Sequence, residues 1–175
     1  LVSMVSAAPQ SKSTLGSLAA DPEHLVTVEV NDEEVDEATL LTVEEGEKLD
    51  IEVELKMPAT VLDAAGKEVP ATDAEQIEVL ARLSGYEYSD YVSLEDVSHV
   101  FDVKAGTKKT VNLELTVPKD INNEKNTLRV FVLDRNSKEI VKTFALYVES
   151  PRHAIEIENV YFSPGNTVKA GRSLL

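Results

Sequence analysis

Cysteine is absent from this 175-residue chain, which removes thiol nucleophiles, disulfide staples and thiolate metal sites at once. Any fold must therefore be held by its core alone, although export is still open to it, because disulfides are optional in a domain of this size. Basic residues are scarce, with 17 Lys and Arg against 32 Asp and Glu, for a net charge of -15 and a pI near 4.5. A surface so acidic repels phosphate backbones and anionic lipid, so nucleic acid is excluded as a partner. Long apolar runs are missing too, since no stretch approaches the roughly 20 residues that a membrane-spanning helix needs.

Several chemical signatures are also lacking. His24, His99 and His153 are far apart in the sequence, and none belongs to an H-x-x-x-H or H-x-H pair that would set two ligands on one face. There is no phosphate-cradling glycine loop and no G-x-S-x-G turn. Acidic neighbours such as Glu33 with Glu34, or Glu44 with Glu45, point to opposite faces of a strand and cannot act on one bond together. The run Asp32–Glu37 lacks the spacing and glycine of a dedicated calcium loop, so it reads as solvated charge. The many acidic side chains leave room for divalent cations, calcium among them. These absences predict no catalytic residue, no bound cofactor and no enzyme.

What is present is alternation. Val26, Val28 and Val30 are separated by Thr27 and Glu29, and Leu49, Ile51, Val53, Leu55 and Met57 by Asp50, Glu52, Glu54 and Lys56. A period of two with one apolar and one charged face is the mark of a half-buried strand. Ile77 to Leu83 and Val111 to Val117 repeat it, and each run ends near a turn former, Gly85 or Pro118. Leu128 to Leu133 is more continuously apolar and predicts a strand covered on both sides. Its partner, with Ile140, Phe144, Leu146 and Val148, follows the turn at residues 134–137 and completes a hairpin. Shorter strands are expected at Thr39 to Val43 and Val97 to Val103. The stretch Leu62 to Gln76, cut by Gly66 and Pro70, reads as a long loop. About seven short strands with turns at such intervals predict an all-β, immunoglobulin-like sandwich.

The ends read differently from this body. Residues 1–9, Leu-Val-Ser-Met-Val-Ser-Ala-Ala-Pro, carry small residues at Val5 and Ala7 that suit export-signal cleavage after Ala7, but no basic region precedes them. They are either the remnant of such a signal or a short apolar arm. Ser, Ala, Pro and Lys then predict a flexible leader to residue 23, with the sandwich over 24–149 and a linker at 150–153. In the tail, Thr167-Val-Lys-Ala-Gly-Arg-Ser-Leu174 repeats the pattern of Thr42-Val-Glu-Glu-Gly-Glu-Lys-Leu49. The glycine in each supplies the positive φ of a tight turn before a strand. Val103-Lys-Ala-Gly106 is a related turn. Residues 154–175 therefore read as the first strands of a second β-domain, or as a strand exchanged with a neighbour.

The segment Ile155-Glu-Ile-Glu-Asn-Val-Tyr-Phe-Ser-Pro164, followed by Val168-Lys-Ala-Gly171, resembles the opening of archaeal S-layer-associated, CARDB-like surface modules. The resemblance implies tandem immunoglobulin-like domains in an extracellular stalk, lattice or filament, and it brings no catalytic residue with it. One departure is the absence of any Asn-x-Ser or Asn-x-Thr glycosylation acceptor. The expected function is a secreted structural subunit assembled through strand edges, whose partners are copies of itself or other surface proteins. The alternative is an extracellular module that binds carbohydrate or protein through its loops. Candidate interface residues are Tyr86, Tyr88 and Tyr91, which crowd one loop, together with Ile155, Ile157, Val160 and Phe162 in the tail.

Overall fold

The computed structural model describes residues 15–84, 94–119, 121, 126–136 and 138–150. Its strands are numbered in chain order. One sheet has the order β10-β4-β1-β2, formed by β1 (Val26–Val30), β2 (Glu33–Val35), β4 (Lys48–Lys56) and β10 (Lys108–Thr116). The second runs β3-β12-β11-β7-β8, formed by β3 (Leu40–Glu44), β7 (Ala74–Ser84), β8 (Glu95–Val97), β11 (Asn126–Asp134) and β12 (Glu139–Glu149), with β9 (Phe101–Val103) also on β7. A small hairpin joins β5 (Thr60–Leu62) to β6 (Glu68–Pro70). All pairings are antiparallel except that of β3 with β12. This is an immunoglobulin-like β-sandwich.

The alternation in sequence decides which faces meet. In β4, Leu49, Ile51, Val53 and Leu55 are at most 1% exposed, and they form one core with Ile77 and Val79 of β7, Leu128 and Val130 of β11, and Phe144 and Leu146 of β12. Each fully buried side chain of this size is worth about 1.5–3 kcal/mol in removal from water. The odd-even pattern also fixes register, because a slip of one residue would turn the whole apolar set to solvent.

Turns follow the expected chemistry. Gly46 has φ +77° and Gly106 φ +75°, so the left-handed conformation read from the turn-then-strand motif is present at both. At the first, the Gly46 N–H donates to the Val117 carbonyl at 2.9 Å, and the Val117 N–H returns to Glu47 at 2.8 Å. At the β11–β12 turn, buried Asp134 accepts through Oδ1 from the Asn136 and Lys138 N–H groups at 2.8 and 2.9 Å.

Several short elements depart from the sequence expectation. Val97 to Val103 is two strands, β8 and β9, rather than one. The expected loop from Leu62 to Gln76 contains half of the β5–β6 hairpin, and the acidic run at Asp32 becomes β2 because Asn31 and Asp32 both take positive φ, 53° and 65°, and close a two-residue hairpin. In β11 only one face is fully buried: Arg129 is exposed, and Phe131 and Leu133 are half-buried.

The fold also begins before His24. A 3-10 turn, Gly16–Ala20, precedes the one-turn helix α1 (Pro22–Leu25) and places Leu15 and Leu18 in the core at 2% and 0% exposure. Gly16, at φ +57°, lies so close to Asp73 that a Cβ there would sit 2.2 Å from the Asp73 carbonyl oxygen, and the Ser17 N–H donates to the Thr72 carbonyl at 3.2 Å. No helix among the described residues is long and apolar enough to cross a membrane.

Two predictions follow from this packing. Leu18→Ala should cost about 3 kcal/mol in urea unfolding, whereas a segment that served only as a leader would show no loss. On the outer face of the first sheet, Glu34, Glu29 and Glu52 stand directly opposite one another across β2, β1 and β4, and like charges so placed repel. Glu29→Lys should therefore stabilise by about 1 kcal/mol, read as a rise in Tm of about 3 °C.

Candidate interaction face

The strand registers place four apolar side chains in one row on the outer face of the second sheet. Val141 of β12 is opposite Phe131 of β11, Phe131 is opposite Leu80 of β7, and Leu80 is opposite Val97 of β8. Val141 is 37% and Val97 48% exposed, while Leu80 and Phe131 are half-buried. They have the outward parity, since Ile140, Val132, Val79 and Ala81 on the other parity fill the core.

Charge flanks this row asymmetrically. One row on lie Thr143, Arg129, Arg82 and Glu95, each opposite the next. Arg82 is tied to Glu95 through Nε at 2.9 Å and Nη2 at 2.5 Å, and its guanidinium stands 5.9 Å from the Phe131 ring centre. Arg129 is exposed and makes no ion pair among the described residues. On the opposite flank lie Glu139, Leu133 and Glu78. With Val100, which is 60% exposed, and with Gln76, Asp134 and Arg135, they line a shallow groove of about 440 Å³.

The strand edges are less open than this face. Asp96 projects from β8 to accept the Glu114 N–H at the outer edge of β10, at 2.9 Å. Glu37 accepts the Thr143 N–H at 3.3 Å, where β12 extends beyond β3. Carboxylates on edge N–H groups, like the short β2 and β8, are ways of blocking strand addition.

Two further concavities are acidic. A cleft of about 820 Å³ opens between β1–β2 and β12, with Glu23, Glu34, Asp36, Glu37, Glu139 and Lys142 among its lining residues. Asp36 is held below its ordinary pKa by hydrogen bonds from the Thr39 hydroxyl and the Ala38 N–H, so it caps a turn and is a poor proton donor. A groove of about 500 Å³ on the first sheet is lined by Glu29, Asp50, Glu52, Asp96 and Glu114. Lys48 bridges Asp50 and Glu114 at 3.2 and 2.8 Å, and Glu54 draws in Lys108 and Lys56. No group of three or more His, Asp or Glu among the described residues could hold a metal ion.

Of the residues read from sequence as interface candidates, Tyr86, Tyr88, Tyr91, Ile155, Ile157, Val160 and Phe162 all lie outside the described residues. The apolar row was not among those candidates. Its only sequence signal is that Leu128 to Leu133 is apolar on both parities, which was read as cover on both sides. His24 sits at the start of the fold with Nδ1 2.9 Å from Asp21 Oδ1, and His99 is exposed.

The fold and this face together define the class: an immunoglobulin-like sandwich with an apolar row exposed on one sheet. No family model matches the sequence, and no curated protein does. Among solved structures the chain is similar to Spo0M, a sporulation control protein from Bacillus subtilis, at 11% identity and a TM-score of 0.43, over 72% of this chain and 49% of that one. It is also similar to the N-terminal domain of PorA, at 15% identity and a TM-score of 0.32, over 71% of this chain and 96% of that one. The BIgI domain of beta protein from S. agalactiae, solved bound to CEACAM1, shows 18% identity and a TM-score of 0.29 over 71% and 99%. This chain thus spans about half the length of Spo0M. Likenesses so distant transfer no activity.

The Asp21 carboxylate gives a pH prediction. Its hydrogen bond to His24 raises the imidazole pKa and lowers its own. A raised folded pKa means that this contact stabilises fully below the unfolded value of about 6.5 and is lost as pH rises through the folded value. Titration of the His24 ring protons by NMR should show a midpoint above that of a free imidazole, and Asp21→Asn should return it.

Proposed function

We propose that this chain is a non-catalytic structural module of a cell-surface assembly, and that it docks protein through the outer face of its second sheet. The observation that carries the reading is the row Val97–Leu80–Phe131–Val141, apolar and solvent-facing across four strands. An exposed contiguous apolar patch rimmed by charge is what a protein interface looks like before its partner is added. Edges occupied by Asp96 and Glu37 favour the face over strand addition as the assembling contact. The cell-surface setting rests on the signal-like residues 1–9 and on the resemblance of residues 155–171 to S-layer-associated modules.

Because the chain has no cysteine, single thiols can report this contact cleanly. Val97→Cys and Val141→Cys should react with a maleimide readily in the isolated protein and at least about tenfold more slowly in native surface material, as burial in an interface requires. Thr110→Cys, on the outer face of β10 in the first sheet, should label equally in both. Equal labelling of Val97→Cys in the two states would overturn the reading.

A further inference from the structure

The charges flanking the apolar row identify what the face can bind. Take the row Val141–Phe131–Leu80–Val97 as an axis. The side towards Thr143 carries Arg129 and the Arg82–Glu95 ion pair, and the side towards Glu139 carries Glu139 and Glu78, with Arg135 lining the same groove. A half-turn about that axis brings a second copy face to face, apolar row on apolar row, and exchanges the flanks. Arg82 then meets Glu78 of the other copy, and Arg129 enters the groove between Glu78 and Glu139, with each contact made twice. We infer that this face pairs with the same face of a second copy in an isologous, two-fold dimer. The inference rests on reading the face as a docking surface, and it names the partner.

Four properties support a second copy over an unrelated protein. The pattern is self-complementary, which an isologous interface demands of a single patch. Arg129 stands directly opposite Arg82 across β11 and β7, and since Glu95 of the same chain already pairs with Arg82, Arg129 is the cation that a carboxylate of a second copy would meet. Strands related by the half-turn remain aligned, as packed sheets require. The area is small: β12, β11 and β7 with four outward positions each and β8 with two, at about 4.8 by 6.7 Å per position, give about 450 Å² per copy, or about 900 Å² in total, the size of a weak, transient interface. Net charge of -15 on each copy opposes approach and is screened beyond about 8 Å at physiological salt. The dimer should therefore be reversible, with a Kd in about the micromolar range, and should tighten as salt is raised from low ionic strength.

Sedimentation velocity on the full 175-residue chain over a concentration series tests this. The parent should show a concentration-dependent dimer. Arg129→Glu should weaken it at least about tenfold, as expected for a close interfacial charge pair. The double variant Arg129→Glu/Glu139→Arg should restore it to within about threefold of the parent. In one chain these two positions are separated by about 14 Å along the face, beyond the screening length, so rescue has to act between copies. Val97→Asp, at an exposed site outside the core, should abolish the dimer with an unchanged melting temperature, which separates lost association from lost folding. A parent that stays monomeric at about 100 µM, or a double variant no better than Arg129→Glu, overturns the inference. If the parent is monomeric while Val97→Cys is protected in native material, the partner is another protein and the docking role survives. If Val97→Cys is unprotected as well, both readings fall.

Discussion

Everything in this molecule depends on one contact, the dry interface between the inner faces of two sheets. With no cysteine to form a disulfide, Leu49, Ile51, Val53 and Leu55 of β4 must be covered by Ile77, Val79, Leu128 and Phe144, or the sandwich has little to offset its chain entropy. That requirement gives most inward positions to apolar side chains. It also sets where chemistry can occur, because polar groups are excluded from the interior and pushed onto outer faces, edges and turns. Among the described residues only Ser17, Asn126 and Asp134 are buried and polar, and Asp134 is consumed by the turn that it caps.

The long strands were legible in the sequence because this same contact writes itself as a period of two. The β4 alternation and the Gly46 and Gly106 turns follow from local rules, and a reader needs no partner strand to see them. What was not legible depends on distant residues. Leu15 and Leu18 sit among Ser, Ala and Gly with no period of their own, and their burial is arranged by Gly16 against Thr72 and Asp73, more than fifty residues away. The β1–β2 turn uses Asn31-Asp32, a weaker signal than the Asn-Gly or Asp-Gly pairs that announce such hairpins. The β5–β6 hairpin hides in a segment whose Gly66 and Pro70 read as interruption.

The apolar row escaped the sequence for a related reason. Val141, Phe131, Leu80 and Val97 come from four strands, and each alone looks like an ordinary surface hydrophobe, which needs no explanation. Register turns four such residues into a continuous patch. The two-sided apolar character of Leu128 to Leu133 was a true signal with the wrong cover assigned to it: one side faces the core, while the other is open to solvent at the middle of the second sheet. A strand in the centre of a sheet that is apolar on both parities has two surfaces to cover, and in a two-layer sandwich only one can be covered from within the domain.

Electrostatics then decides which outer face can be covered from outside. The first sheet presents Glu34, Glu29 and Glu52 in line, with Lys48, Lys56 and Lys108 committed to Asp50, Glu54 and Glu114. Bringing two such faces together would add like charges to an already repulsive row and strip them of water, a cost that no apolar contact there could offset. The second sheet is less uniform, with Arg129 and the Arg82–Glu95 pair on one flank of the apolar row and Glu78 and Glu139 on the other. That arrangement has a dipolar character along the strands, so two copies in one relative orientation repel and in the reversed orientation attract. In the proposed dimer, orientation would be selected before any side chain is in contact, and the strong overall negative charge would act as a filter against pairing through the other, acidic faces.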